Sequence, residues 1–216
     1  MADAKLDTLV RREQIAEAAL SLVAAEGVKR LSIAAVARRV GLVPSGIYRH
    51  FKSKDAMLAA VLELLESKLR ANVEAARQGS TDPLERLHGL LVRHIQFIRE
   101  GRAFPRIIFS DDAMSAPPQR KELVSRIITM YLGEIERFVR DGQQQGCIRK
   151  ELVPNSVAVM FLGMVVPAAI LWHVTDGGFN VTQHAGRAWE MFRTAVVTDP
   201  SPRCPKNPGR SKNRCD

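Results

Sequence analysis

Between Ser32 and Lys54 the chain sets two short helices, a glycine turn and the start of a third helix within 23 residues. Ile33, Val36, Ala37 and Val40 recur at i, i+3, i+4 and i+7, one face of a helix. Gly41 follows that face, where a left-handed turn is easiest for glycine. Pro44 suits the first turn of the next helix, because its missing N–H would have been unpaired there anyway. Two short helices joined by a tight glycine turn form the helix-turn-helix pattern. At about 100° per residue, Val43 and Phe51 fall about 40° to either side of Ile47, so these three are expected to face a core. Ser45 and Arg49 point the opposite way, with Lys52 beside them and Gly46 and Tyr48 on the flanks. That face offers a hydroxyl, a guanidinium, a phenol and an ammonium, groups suited to base edges and phosphates of a major groove.

The charge of the chain, +9 overall, is spread to match. Residues 1–55 carry 10 Lys and Arg against 6 Asp and Glu, while residues 56–198 carry 17 against 15 and are nearly neutral. Residues 199–216 hold 5 basic side chains, 2 acidic ones and four prolines, with almost nothing apolar, and read as a disordered basic tail. Basic ends on a neutral body are expected of a chain that meets nucleic acid with one end, with surface lysines that confer solubility as the alternative that charge alone does not separate.

The segment from about Arg11 to Leu58 resembles the DNA-binding domain of the tetracycline-repressor (TetR) family of transcriptional regulators. The resemblance is carried by Ile15, Ala19 and Gly27, by Ser32-Ile33, Val36-Ala37 and Gly41, and by Tyr48-x-His50-Phe51-Lys52-Ser53-Lys54-Asp55 leading to Leu58. In one place the chain departs from the family, which commonly carries Ser or Thr two residues after the turn glycine. Val43 stands there and cannot cap a helix through its side chain. The resemblance implies a homodimer on a palindromic operator of double-stranded DNA, usually as a repressor, released when a small molecule binds the larger domain. Residues expected at the DNA are Ser45, Gly46, Tyr48, Arg49 and Lys52 on the outward face, with Ser32, Pro44, His50 and Lys54 around it. Ser32 also has the alternative role of N-cap for the second helix.

The rest of the chain reads as helices, giving an all-α fold: a helix-turn-helix domain over 1–55 with its motif at about 32–51, then a larger helical domain over 56–198. The first helix is expected from about Asp7 to Glu26, and a long fourth one, capped by Ser53, from about Lys54 to Gln78. Asp82, Pro83 and Glu85 have the spacing of a capping box for the fifth. Later helices are expected from about Gln119 to Gln145, from about Asn155 to Val174, and from about Thr182 to Val197. The segment from Ser156 to Val174 has no charged residue across 19 positions, near the length needed to cross a bilayer. Its single occurrence among amphipathic helices favours a helix buried between its own domain and a partner subunit, with no membrane contact. Val165, Ala169, Trp189 and Phe192 are the expected dimer contacts.

Phe97, Phe104, Phe109, Met130, Tyr131, Met160, Met164 and Trp172 come from several helices and are candidates to line a pocket for a largely apolar effector. For each of them filling the core is the competing role. No nucleophile elbow, H-E-x-x-H or phosphate loop occurs, so neither catalysis, a cofactor nor a metal is expected. His88 and His94 fall on opposed faces of one helix rather than on one metal-binding face. Cys147, Cys204 and Cys215 form no framework, and with no secretion signal at the N-terminus free thiols in a reducing cytoplasm are expected.

Overall fold

The computed structural model describes residues 2–99 and 117–198, with side chains from Thr8 onward. Phe104, Phe109 and the basic tail lie outside these residues. Helix α1 (Ala2–Glu26) starts earlier than the apolar pattern alone indicates. It ends at Gly27, whose φ of 84° lies in the left-handed region. Ile15, Ala19, Leu22 and Val23 form its buried face. A single 3-10 turn (Val28–Arg30) leads to α2 (Ile33–Arg39), where the Ser32 hydroxyl accepts the N–H of Ala35 at 3.2 Å.

The end of α2 is fixed by Gly41, at φ 68°, and by the Leu42 N–H donating back to the Ala37 carbonyl at 2.9 Å. That is a Schellman closure, and it aims the chain into α3 (Pro44–Tyr48). This helix is only five residues long. Ile47 and Phe51 are buried as their spacing suggests, but Val43 is 66% exposed. It precedes the helix with extended backbone, φ −80° and ψ 152°, so helical angles do not apply to it and it misses the core.

Helix α4 (Lys54–Gly79) begins at Ser53, whose hydroxyl accepts the Ala56 N–H at 3.1 Å, and runs unbroken through positions 55 and 56. Met57, Leu58 and Val61 are buried, and Lys68 pairs with Glu17 of α1. The turn to α5 (Pro83–Arg99) uses Asp82, which accepts the Leu84 N–H at 2.9 Å. The reciprocal half of the expected capping box is replaced: the Asp82 N–H donates to the Ser80 hydroxyl at 3.0 Å, not to Glu85. Helix α6 (Pro118–Gln145) runs beside α4 and is tied to it by three ion pairs: Asp55–Arg120 at 2.5 Å, Glu66–Arg126 at 3.2 Å and Arg77–Glu134 at 2.7 Å. The α4 members recur every three turns, so they share one face.

Helix α7 (Pro154–Val174) is long and apolar enough to cross a membrane, with a mean hydropathy of 2.2, yet one of its faces is in the protein core. Val157, Phe161, Val165, Ala168 and Ala169 are buried against the rest of the domain. Helix α8 (Val181–Val196), capped by Asn180, lies beside α7 and α5 and buries Ala185, Trp189 and Phe192. A short antiparallel bridge between Ile148 and Val197 fastens the end of α8 to the α6–α7 turn.

Candidate functional site

The reading face is built on Ile47, which is fully buried and anchors α3 so that the residues around it stand outward. Ser45 and Arg49 are exposed, as are Pro44, Tyr48 and Lys52, and Gly46 is half-buried. Arg49, Lys52 and Lys54 have no ion-pair partner among the described residues. Lys54 opens α4 beside Ser53, so its ammonium and the positive end of that helix lie together. One guanidinium and two ammoniums thus follow the exposed α3 within six residues of chain, between its last turn and the start of α4.

Ser32 serves as an N-cap, with its hydroxyl engaged by the backbone of α2. His50 is half-buried: its carbonyl accepts from Arg12 of α1 at 3.1 Å, and its Nδ1 is buried with no hydrogen-bond partner. The same Arg12 guanidinium lies over the Phe51 ring at 4.5 Å. Arg12 thus pins the exit of the recognition segment to α1, a role its sequence position did not reveal. Val43, expected in the core, instead stands exposed at the leading end of α3.

Of the six described residues expected to line an effector pocket, Phe97 and Tyr131 lie together beside His94, while Met130 and Trp172 border separate clefts. Met160 is 44% exposed on the outer side of α7, whereas Met164 is buried. Met130 borders a surface cleft between α4 and α6, and Trp172 borders a different one between α5, α7 and α8. Phe97 and Tyr131 are buried near His94, whose Nδ1 lies 2.8 Å from the Tyr131 hydroxyl. His94 is the only buried polar side chain of the core among the described residues. Burial lowers the His94 pKa to about 4 and raises that of Tyr131. The imidazole is therefore neutral near pH 7 and shares one hydrogen bond with the neutral tyrosine hydroxyl.

The four residues expected at a dimer interface are likewise inside the protomer. Val165, Ala169, Trp189 and Phe192 are all buried in its own core. Periodicity located an apolar helix but could not say which side faces inward, because both sides are apolar. The outward side carries Val159, Met160, Gly163, Pro167, Ile170 and Val174, and no charge. Met191 on α8 is exposed at 75%.

Two families of sequence match the chain. The one described as bacterial regulatory proteins, tetR family, matches residues 15–61, and the tetracyclin repressor-like C-terminal domain matches residues 80–196. Over 187 residues the chain is 22% identical to the nucleoid occlusion factor SlmA of Vibrio vulnificus, spanning 86% of this chain and 95% of that one. It is 26% identical to the HTH-type transcriptional regulator BetI of Rhizobium meliloti, over 73% of this chain and 77% of that one. A TetR transcriptional regulator from Chloroflexus aurantiacus has the same fold, with a TM-score of 0.74 and 21% identity, over 88% of this chain and 98% of that one.

Proposed function

The chain belongs to the tetR family of bacterial regulatory proteins, and on that footing we propose that it is a cytoplasmic, ligand-released repressor that binds a palindromic operator as a homodimer. The observation that carries this reading is the exposed face of α3 over a buried Ile47, followed directly by Arg49, Lys52 and Lys54, which have no ion-pair partner among the described residues, and joined by one continuous helix to the domain that would sense the ligand. Arg49 reads a guanine edge in the major groove and Ser45 a neighbouring base. Val43, at the leading end of the helix, offers methyl groups to a thymine methyl. Tyr48, Lys52 and Lys54 hold phosphates and set the register without reading sequence.

The outward stripe of α7 supports the dimer. A contiguous uncharged strip is rarely left in water by a soluble monomer, and pairing it across a two-fold axis with Met191 of α8 beside it removes it from solvent. Effector binding then shifts the population between DNA-competent and incompetent arrangements of the two heads, with no chemical step.

Binding to operator and to random DNA across a salt series tests the division of labour. Arg49→Ala is expected to lose about 1–3 kcal/mol of discrimination at one operator position in each half-site. Lys54→Ala should weaken all DNA alike and reduce the salt slope by about one. Uniform loss for Arg49→Ala, or altered base preference for Lys54→Ala, refutes the assignment. Recovery of the protein only with membranes would transfer the α7 stripe to lipid and end the dimer reading.

A further inference from the structure

The cleft between α5, α7 and α8 lies apart from the reading face and from the outward stripe of α7. Its volume is about 710 Å³, within the roughly 300–1,000 Å³ of small-molecule sites. The wall and floor are apolar: Leu91 and Ile95 of α5, Trp172 of α7 and Ala185 of α8. Arg99, in the last turn of α5, lines it too and is exposed, with no ion-pair partner among the described residues. His88, Gln96 and Thr182 are further polar groups on its lining, and no carboxylate lines it among the described residues.

Two glycines shape the cleft. Gly186 sits inside α8, where glycine is less favourable than alanine, yet a Cβ built there meets no atom within 4 Å. Among the described residues no packing contact explains the glycine, and its absent side chain leaves the cleft open. Gly177 takes a left-handed φ of 84°, and a Cβ built on it would lie 3.4 Å from the Trp172 ring. The turn backbone therefore stays close to the indole at the cleft.

We propose that this cleft binds an amphipathic organic monoanion, its apolar body against Leu91, Ile95 and Trp172 and its acidic group on the Arg99 guanidinium. An apolar floor with one guanidinium that has no ion-pair partner, and with no acidic side chain, among the described residues selects such a ligand over a neutral or cationic one of the same shape. That this ligand is the effector rests on the repressor reading above; that it binds here does not.

The chain's two tryptophans supply the readout. Trp172 lines the cleft and Trp189 stacks on His88 with ring centroids 4.8 Å apart. The full-length protein, without DNA, is titrated with decanoate and 4-cyclohexylbutanoate as anionic probes, decanol as the neutral one and decyltrimethylammonium as the cationic one. Tryptophan fluorescence should respond saturably to an anionic probe, and Arg99→Ala should weaken that binding about tenfold or more while leaving decanol unchanged. Gly186→Phe, which fills open space rather than displacing packed atoms, should abolish the response. Equal affinity for all three charge types, or an anion affinity indifferent to Arg99→Ala and Gly186→Phe, overturns the assignment, as does the lack of a saturable response to either anion. Operator binding is then measured with the bound anion present. Anion binding that leaves DNA affinity unchanged upholds the cleft and refutes only its regulatory role.

Discussion

Gly163→Glu is the sharpest test of the proposed two-fold dimer. Gly163 lies mid-stripe on the outward side of α7, and a Cβ built there meets no atom within 4 Å. The new side chain therefore fits a free protomer without strain. Replacing an internal helix glycine with a good helix former should also stabilise the protomer, by up to about 1 kcal/mol. In a two-fold dimer through this stripe, two carboxylates enter an apolar interface with no cation opposite them. Desolvation costs several kcal/mol per buried ion, so about 3 kcal/mol each gives about 6 kcal/mol per dimer, roughly a 10⁴-fold weaker association. Sedimentation equilibrium over nanomolar to micromolar loading reads the association, and thermal unfolding at a single low concentration reads the protomer. Dissociation with an unchanged or higher melting temperature is expected, together with loss of operator affinity. Val165→Glu is the contrast: Val165 is buried within the protomer, so it should unfold the chain rather than split the dimer. A Gly163→Glu protein that sediments as the wild-type dimer refutes the reasoning.

Two further outcomes follow from the interior. His94 is neutral in the folded state with a pKa near 4 against an ordinary 6.5, so the unfolded chain takes up its proton first as pH falls. Stability from this group is complete above pH 6.5 and is lost progressively towards pH 4, by about 3 kcal/mol at most. His94→Phe should flatten that part of the denaturation profile while costing stability near pH 7 by leaving the Tyr131 hydroxyl unpartnered, and an unflattened profile refutes the assignment. Gly142→Ala should destabilise by about 1–3 kcal/mol in chemical denaturation, because a methyl there would lie 2.5 Å from the buried Ile148 side chain. Wild-type stability in that variant would mean that Ile148 moves aside freely.

The helical organisation and the reading head were legible in the sequence because they depend on local rules. The Ser32 and Ser53 caps, the left-handed turn at Gly41, and the position of Ile47 each involve residues a few places apart. The same local reasoning failed at Val43, where helical angles were carried one residue past the helix start.

What only the tertiary structure decided is which side of each element meets which neighbour. Helix α7 is apolar all round, so nothing in its periodicity separates Val165 and Ala169, which face the core, from Gly163 and Ile170, which face outward. The Asp55–Arg120 pair spans 65 residues and the Arg12–His50 contact spans 38, and charge or spacing along the chain selects neither. The cleft at Arg99 is likewise a product of three helices meeting. A sequence fixes the residues on each surface through short-range chemistry; the surfaces that face one another are set by packing between segments distant in the chain.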